Sequence, residues 1–318
     1  MKIIGISGGT RNGNNDAMCR EALMGAECRG ADVEFIRLLD LDLKPCTGCI
    51  ACVGKIMSGR PSDCVIRDDY EWLSNKLLDA DGIIMVMPIF ESGTPAIYHI
   101  LQDRFSGPAH DRGMNFVCSQ IAKDNGGPGP DPRIMQDKFI SYIGIGGSDW
   151  ATRIEADFEM FSMSPAWTTI DKKVFGWSKS ICMEDEKVSA CRKVGIDLAE
   201  ACKDPENAKY VGDAGVCPHC HTKEFYIHQD GTAECVVCGM RGRLKENEDG
   251  SMRFDFPEEE LKRAHDTMSG KLIHASDIGK YEGRLADQKK SEEYKARMQA
   301  YKDFIASSTP GSEIVKKA

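Results

Sequence analysis

The sequence lacks three features that would each suggest a broad class of protein. It has no run of 18 apolar residues, so we expect no membrane-spanning helix. It has no basic excess, because 41 Lys and Arg against 50 Asp and Glu give a formal net charge of −9, which argues against a general binder of nucleic acid or anionic membranes. It opens on the strand-like MKIIGIS rather than on a signal peptide, and we expect a cytoplasmic protein.

Several catalytic motifs are also missing. The first glycine-rich segment has neither the Gly-Lys-Ser/Thr of a Walker A loop nor the GxGxxG of a dinucleotide fingerprint. No Ser-His-Asp arrangement and no pair of carboxylates can be argued from the spacing. This is the pattern expected where a bound cofactor supplies the chemistry and the protein supplies orientation.

Cysteine, by contrast, is abundant, with 14 in 318 residues. In a long chain without a secretory signal, such cysteines are expected to be thiols or metal ligands rather than structural disulfides. Six are scattered, and the other eight form two groups by their spacing. The groups are Cys46, Cys49, Cys52 and Cys64, and then Cys217, Cys220, Cys235 and Cys238.

Apolar runs alternate with helical patterns over the first two thirds of the chain. Strands that are mostly apolar and alternate with helices predict an α/β protein whose parallel sheet is covered on both faces. The predicted strands are residues 2–7, 33–38, 82–87, 138–144 and 168–175. The predicted helices are residues 15–29, 68–80, 94–105 and 184–203.

Two stretches depart from this alternation. Residues 106–137 are interrupted by GGPGP at 126–130, and a connection of this length predicts a functional or mobile loop. The polar segment after residue 245 ends in a helical run at 286–305. Its apolar stripe predicts a helix that docks or mediates oligomerisation. The stripe consists of Tyr294, Met298, Tyr301 and Ile305.

Three glycine-rich turns follow predicted strands, at the edge where open α/β sheets bind ligands. In the first, residues 7–16, glycines allow close approach of an anion, and hydroxyls, amides and helix N–H groups can donate to it. An ordinary turn is the alternative interpretation of this segment alone. The second turn is MPIFESGTP at 87–95, and the third is residues 144–148.

Taken together, these motifs resemble the flavodoxin-like NAD(P)H-dependent FMN reductases over most of residues 1–205. That family pairs a Gly-Ser-x-Arg-x-x-Ser-Asn-Thr phosphate loop with a Thr-Pro-x-Tyr-x-x-x-x-Pro segment followed by Asp-Arg. It often carries Cys-x-Gly-Cys-x-x-Cys between them, as Cys46 to Cys52 do here. The resemblance implies a doubly wound, five-stranded parallel sheet in the order 2-1-3-4-5 with FMN at the switch point, and a homodimer or homotetramer.

The resemblance also implies two sets of flavin-binding residues. The phosphate set is Ser7, Thr10, Arg11, Asn14, Asn15 and Asp16. The set that borders the isoalloxazine ring is Pro88, Ile89, Phe90, Glu91, Ser92 and Gly93, with Gly146 and Gly147 nearby. Two positions depart from the family pattern. Asp16 would repel a phosphate, so we expect it to cap the helix and point away, and Phe90 lacks the hydroxyl of the family's Tyr.

The first cysteine group has ferredoxin-like spacing. In the iron–sulfur flavoproteins, which belong to the resembled family, a compact set of this kind holds a [4Fe–4S] cluster beside FMN. Their last interval is shorter than the one here, where residues 55–63 form an insertion. The alternative is that these four cysteines are thiols that shape the loop over the cofactor.

The second cysteine group has the spacing of a zinc ribbon, in which two Cys-x2-Cys knuckles complete a tetrahedron of thiolates. Residues 224–228 and 232–236 predict a hairpin with Asp230-Gly231 as its turn. We expect a structural Zn²⁺, with iron as the alternative metal. The predicted domains are therefore 1–205 (flavodoxin-like), 213–245 (zinc ribbon) and 246–318 (polar segment and C-terminal helix).

These features lead to one main functional hypothesis and two alternatives. The main hypothesis is an FMN-dependent oxidoreductase that passes electrons from NAD(P)H to a quinone, an aromatic compound, free flavin or a protein. The first alternative is an iron–sulfur flavoprotein that transfers electrons to a redox partner. The second is a zinc-ribbon adaptor or nucleic-acid scaffold, although no nucleic acid is expected as a partner. No catalytic side chain is assigned, because the flavin would perform the chemistry.

Overall fold

A computed structural model describes residues 1–310, and its centre is a five-stranded parallel sheet in the order β2-β1-β3-β4-β5. The predicted fold class and strand order are confirmed. The order reverses direction between β1 and β3, so the carboxyl ends of these neighbouring strands form the switch point where such sheets bind ligands. The strands are β1 (Lys2–Ser7), β2 (Asp32–Arg37), β3 (Gly82–Pro88), β4 (Phe139–Ile145) and β5 (Thr168–Phe175).

Helices cover both faces of this sheet. One face packs against α1 and α7 through side chains such as Leu23 and Leu198, and the other packs against α3, α4 and α6 through Leu73, Phe105 and Phe158. Both layers are apolar and fully enclosed, which explains why the central strands β3 and β4 carry almost no polar residues, whereas the edge strands β2 and β5 carry several. The helices of this domain are α1 (Asn14–Glu27), α2 (Ala51–Ile56), α3 (Tyr70–Asp79), α4 (Ala96–Phe105), α5 (Arg112–Asn125), α6 (Ile154–Met163) and α7 (Asp185–Lys203).

Helices α1 and α7 cross with their backbones in contact. A Cβ atom at Gly195 would overlap the carbonyl oxygen of Ala22, and a Cβ atom at Gly25 would overlap the carbonyl oxygen of Arg192. Each helix therefore has a glycine where the other passes. Helix α1 begins at the first glycine-rich turn, so this crossing fixes the position of that turn.

The predicted loop at 106–137 is wrong, because the segment contains helix α5 and a 3₁₀ turn at Pro132–Met135. The Asp111 carboxylate caps α5 by accepting from the Met114 N–H, and Gly126 ends the helix in the left-handed conformation at φ 70°. Met114, Cys118 and Ala122 bury its inner face at helical spacing. The glycines and prolines at 126–130 therefore mark the end of a helix rather than a long loop.

His110 is buried just before α5, against the end of α4. Its ring stacks on Phe105 at 4.1 Å between centroids, Nδ1 lies 2.9 Å from the Phe105 carbonyl, and Nε2 lies 3.3 Å from Ser74 Oγ. Burial lowers the pKa of His110 to about 4. The imidazole is consequently neutral in the folded protein across the physiological range.

This histidine predicts a loss of stability in mild acid. Between pH 6.5 and 4 the unfolded chain binds a proton at residue 110 and the native chain does not, so the free energy of unfolding falls as pH falls. The full contribution is on the order of 3 kcal/mol. Urea titrations across this range should show a shallower pH slope for His110→Phe than for the wild type. Equal slopes would show that His110 is not buried in its neutral form.

A second sheet follows α7 in the chain and is antiparallel, in the order β6-β7-β8-β9. The predicted hairpin forms its first two strands, with Gly231 at φ 76° in the turn. Two further strands lie in the segment after the hairpin and continue the same sheet past residue 245. The strands are β6 (Phe225–Ile227), β7 (Ala233–Cys235), β8 (Arg241–Glu246) and β9 (Met252–Asp255).

The chain divides into two compact units, Met1–Leu272 and Ile273–Ala318. A C-terminal helix is present as predicted, but it is longer and broken: α8 spans Met268–Lys290 and α9 spans Glu292–Phe304. Ser291 separates them because its side chain caps α9 by accepting from the Tyr294 N–H. Within residues 1–310, no helix is both long enough and apolar enough to cross a membrane.

Candidate functional site

The turn between β1 and α1 is organised from beneath by a buried carboxylate. Asp16 accepts from Ser7 Oγ at 2.6 Å and from the Asn12 N–H at 2.8 Å. Asp16 is the third residue of α1 and reaches back to the N–H of Asn12, one residue before the N-cap Gly13, whereas the third residue of a capping box reaches the N-cap itself. The Asp16 carboxylate points away from the mouth of the loop, and the Ser7 hydroxyl donates to it there. Ser7 and Asp16 therefore stabilise the loop from below rather than line its mouth.

The upper side of this turn carries several hydrogen-bond donors. Thr10 and Arg11 are exposed, and the Arg11 guanidinium pairs with Asp40 through one of its nitrogens. The first N–H groups of α1, at Asn14 and Asn15, have no intrahelical acceptor. Asn15 Oδ1 is buried without a partner among residues 1–310. The side chain of Asn15 occupies the space that a Cβ at Gly9 would fill. A narrow loop with donors over the N-terminus of a 14-residue helix suits a phosphate group, so these residues fit the phosphate of FMN.

The turn between β3 and α4 holds two non-glycine residues in the left-handed conformation. Phe90 and Gly93 exchange both backbone hydrogen bonds, at 2.9 and 3.0 Å, across Glu91 and Ser92. The two central residues have φ values of 46° and 65°, the geometry of a type I′ turn that normally selects Asn-Gly. Each such residue costs about 1–3 kcal/mol. The fold therefore imposes this turn against local preference, next to the switch point.

Helix α6 holds this turn in place from the side. The Arg153 N–H donates to the carbonyl of Ser92 at 3.0 Å. Asp157 Oδ2 accepts from both the N–H and the hydroxyl of Thr94, at 2.8 and 3.0 Å. His99 Nε2 lies 3.0 Å from the same hydroxyl and 3.8 Å from the carboxylate. The predicted ring-bordering segment is thus part of a polar network whose other members come from α4 and α6.

The third glycine-rich turn lies beside the second. Gly146 packs on Ile89, and a Cβ at Gly147 would approach the Lys179 side chain at 2.8 Å. Three large aromatic side chains are exposed where β3, β4 and β5 end: Phe90 at 61%, Trp150 at 59% and Trp177 at 67%. Exposed aromatic rings concentrated at one edge of a sheet mark a surface that binds a planar or apolar ligand or another protein.

The first cysteine group lies on the segment between β2 and α3. Cys46 and Cys49 are exposed, whereas Cys52 and Cys64 are half-buried. Hydrogen bonding from the Ala51 N–H and then the Thr47 hydroxyl lowers the pKa of the Cys49 thiol. Within residues 1–310, no three of these sulfurs lie within 4.8 Å of one another, so the group has no preformed site for a single ion.

Arg104 fastens this cysteine segment to the rest of the domain. Its guanidinium is buried, pairs with Asp68, donates to the Lys44 carbonyl at 3.1 Å and stacks on the Tyr70 ring at 4.0 Å. One Nη atom also lies 3.6 Å from Cys64 Sγ. The Asp-Arg of the sequence motif is Asp103-Arg104, and Arg104 holds the cysteine segment against α4 through these contacts.

The second cysteine group forms a compact tetrad. The sulfurs of Cys217, Cys220, Cys235 and Cys238 all lie within 4.8 Å of one another, and the Cys217–Cys238 and Cys220–Cys235 distances are 3.9 and 3.4 Å. Four thiolates at about 2.3 Å from a tetrahedral Zn²⁺ stand about 3.8 Å apart, so the tetrad fits one ion. The metal-binding cysteine cluster and the zinc-ribbon module predicted from the spacing are confirmed, and the tetrad leaves no open coordination position.

Both knuckles of the ribbon have the same backbone geometry. His221 and Gly239 each follow the second cysteine of a knuckle, adopt a left-handed φ of 59° and 74°, and donate an N–H at 3.0 Å to the carbonyl of its first cysteine. This repeat turns the chain so that both sulfurs of a knuckle point inward. The histidine at 221 occupies a position that favours glycine.

The ribbon is bound to the same helix that supports the β3–α4 turn. Lys223 pairs with Glu155 of α6 at 3.2 Å. The buried Lys172 pairs with Glu159 of α6 at 2.9 Å and lies 3.5 Å from the His221 carbonyl. Helix α6 thus contacts the metal module directly through Glu155 and indirectly through Glu159, by way of Lys172 of β5, and it contacts the β3–α4 turn through Asp157.

Several residues at this edge were missed by sequence reasoning. Arg153, Asp157 and His99 support the β3–α4 turn, yet no local motif contains them together. Asp157 lies 63 residues from Thr94, so only the packing of α6 beside α4 brings the two into contact. The one usable signal is the acidic first turn of α6.

Comparison with known proteins identifies similar chains. The family model described as NADPH-dependent FMN reductase matches residues 1–167. The chain is 26% identical over 271 residues to flavone synthase cfoJ of Aspergillus candidus, covering 80% of this chain and 81% of that one. It is 40% identical over 105 residues to iron–sulfur flavoprotein MJ1083 of Methanocaldococcus jannaschii, covering 33% of this chain and 51% of that one.

A solved structure extends this similarity over nearly the whole chain. A protein described as flavone reductase superposes with a TM-score of 0.87 at 47% identity, covering 98% of this chain and 100% of that one. The similarity therefore includes the ribbon and the C-terminal helices as well as the parallel sheet. Because the family model alone spans more than half of the 318 residues, this chain belongs to the NADPH-dependent FMN reductase family.

Proposed function

We propose that this protein is an FMN-dependent oxidoreductase that uses NAD(P)H to reduce the carbon–carbon double bond of planar aromatic enones of the flavone class. The observation that carries the proposal is the exposed aromatic trio Phe90, Trp150 and Trp177, beside a phosphate loop at the switch point. Planar aromatic acceptors stack on such rings. The 47% identity to a protein described as flavone reductase supports the same acceptor class.

In this proposal the β1–α1 turn holds the cofactor phosphate. Thr10, Arg11, Asn14 and Asn15 donate to it from the mouth of the loop, while Asp16 and Ser7 keep the loop in shape from below. FMN, when bound, supplies hydride transfer between NAD(P)H and the acceptor.

The other predicted flavin residues border the ring. Residues 88–93 form its nearest turn, where Phe90 projects outward and the left-handed pair Glu91–Ser92 presents backbone groups. Gly146 and Gly147 allow β4 to end close to this turn because Ile89 and Lys179 occupy the space where their side chains would be. These residues orient the ring and exclude water, and the chemistry itself needs no nucleophilic side chain.

A single set of measurements tests the proposal. Purified protein should bind FMN, as seen in its visible spectrum. Anaerobic NADPH should bleach the flavin band, and added flavone should restore it with formation of the flavanone. Reoxidation by quinone but not by flavone would refute flavones as the acceptor class. A failure to bind FMN would refute the whole proposal.

Asp16 offers a prediction on cofactor affinity. Asp16→Ala leaves the Ser7 hydroxyl and the Asn12 N–H without their acceptor, and a buried unsatisfied donor costs about 1–3 kcal/mol. The loop should distort, and the Kd for FMN should rise about 10-fold or more by isothermal titration of the apoprotein. Asp185→Ala, in the exposed first turn of α7, is the matched control and should leave the Kd unchanged. Unchanged affinity in Asp16→Ala would contradict this role.

The metal of the ribbon is proposed to be Zn²⁺ in a structural role. The supporting observation is the closed tetrad of buried thiolates, which leaves no position for a substrate. Iron is the alternative metal. Elemental analysis of the purified protein distinguishes the two directly.

A second candidate function is electron transfer through an iron–sulfur cluster at Cys46, Cys49, Cys52 and Cys64. The observations that favour it are the Arg104 contact to Cys64 Sγ and the 40% identity to iron–sulfur flavoprotein MJ1083 over 105 residues. A hydrogen bond to a ligating sulfur is one of the features that set a cluster's potential. Anaerobic purification should then yield about four iron and four sulfide per chain. Iron-free protein with full flavone activity would leave these cysteines as loop thiols.

A further inference from the structure

The proposed reaction needs a proton donor that has no assigned residue. Reduction of an enone double bond adds a hydride to the β-carbon and a proton to the α-carbon. The hydride comes from the reduced flavin, and the π electrons of the double bond form the new C–H bond at the α-carbon. A positioned acid at the ligand edge, beside the β3–α4 turn, would accelerate this proton transfer.

His99 has the position and the geometry for this task. It lies in the first turn of α4, five residues after Thr94, which directly follows the predicted ring-bordering segment. Its ring is edge-on to Tyr98 at 5.9 Å, and its side chain is 39% exposed. The imidazole is thus accessible from solvent, although one side of the ring is fixed.

The hydrogen bonds leave one ring nitrogen open. The Thr94 hydroxyl donates to Asp157 at 3.0 Å, so Nε2–H of His99 donates to Thr94 Oγ1. The Asp157 carboxylate also lies 3.8 Å from Nε2 and is itself paired with Arg153 at 3.7 Å. Within residues 1–310, Nδ1 has no protein partner, so the second proton of the imidazolium form, which sits on Nδ1, can be donated elsewhere.

The neighbouring hydroxyl does not compete for this role. Tyr98 is fully buried, and its hydroxyl is directed at the carbonyls of Asp157 and Phe158, at 3.1 and 3.2 Å. Burial raises the pKa of Tyr98 well above its usual value. Its proton is therefore held inside the α4–α6 contact.

We propose that His99 is the proton donor to the α-carbon of the acceptor, with Thr94 and Asp157 as positioning residues that hold its imidazole. His99 gives its Nδ1 proton as the hydride reaches the β-carbon, and it regains a proton from solvent before the next turnover. This inference rests on the proposed function, because only a carbon–carbon double bond requires a proton at carbon.

The test separates the two halves of the reaction in His99→Gln. Anaerobic stopped-flow should show flavin reduction by NADPH and reoxidation by ferricyanide at wild-type rates, since ferricyanide takes electrons without a proton. Reoxidation by flavone should slow about 100-fold or more. Added imidazole should restore part of the flavone rate in His99→Ala, and Thr94→Val should show an intermediate loss.

Two controls make the result decisive. His228→Gln replaces a histidine of the ribbon that is bonded to Glu234, and it should match the wild type in all three reactions. Equal slowing of ferricyanide and flavone in His99→Gln, or an unchanged flavone rate, would overturn the role of His99 alone. Wild-type protein whose reduced flavin reacts with ferricyanide but never with flavone would instead refute the proposed function, and the proton donor with it.

Discussion

Cys220→Ser is expected to release the metal of the ribbon and to unfold the antiparallel sheet around it. The four sulfurs form the centre of this module, whose remaining core is a small set of side chains such as Val237, Met240 and Phe254. Structural zinc sites contribute about 10–16 kcal/mol of binding free energy, more than so small a core can replace. Zinc content should fall from about one per chain to near zero.

Hydrogen exchange measures the structural part of this result. Amides of β6 to β9 should lose protection in Cys220→Ser, while those of β1, β3 and β4 keep it, because local unfolding follows cooperative units. Cys28→Ser is the matched control, since that thiol is exposed at the end of α1 and lies outside the tetrad. Full zinc content together with unchanged protection in Cys220→Ser would contradict the structural role of the metal.

Gly195→Ala is expected to destabilise the whole parallel-sheet domain. The new methyl group would overlap the carbonyl oxygen of Ala22, and the atom it meets is backbone, so α1 and α7 must move apart. Overpacking of this kind costs about 3 kcal/mol or more where no side chain can yield, which exceeds the gain in helix propensity of about 1 kcal/mol. The midpoint of urea unfolding should fall accordingly, and FMN affinity should fall with it because α1 begins at the phosphate loop.

Gly279→Ala provides the comparison within a helix. No atom lies within 4 Å of the Cβ position at Gly279 in α8, so only the propensity term applies and stability should stay equal or rise by up to about 1 kcal/mol. A wild-type midpoint for Gly195→Ala would mean that the two helices separate freely. The α1–α7 crossing would then not position the phosphate loop.

The parallel sheet could be predicted because its signals are local. The strand at Lys2–Ser7 has the predicted bounds because an apolar run that ends in a glycine-rich turn defines it without reference to the rest of the fold. The strand at Thr168–Phe175 also has the predicted bounds, although five of its eight residues are polar. The tetrad was predictable for the same reason, as each knuckle spans only four residues. The helix α5 was missed because its cap at Asp111 and its stop at Gly126 were less conspicuous than the prolines that follow.

The candidate site was predictable only in part. The glycine-rich turns follow from the sequence, but the direction of each side chain depends on packing. Asp16 was expected to turn away from a phosphate, yet nothing local indicated that it would draw Ser7 below the loop with it. The contact between Asp157 and Thr94 joins helix α6 to the turn before α4, which is distant in the chain, and such pairs have no short-range signature.

The left-handed backbone at Glu91 and Ser92 costs the fold stability that other residues at these positions would not cost. A chain selected for stability alone would place Asn-Gly in this type I′ turn and recover about 1–3 kcal/mol at each position. This chain retains two side chains there, held by α6 through the Ser92 carbonyl. Because the turn lies outside the sheet core, substitutions at these two positions can change what is bound while the strands keep their register. Substitutions at this turn can therefore change the acceptor without a loss of stability, because residues that relieve the strained backbone offset part of their cost.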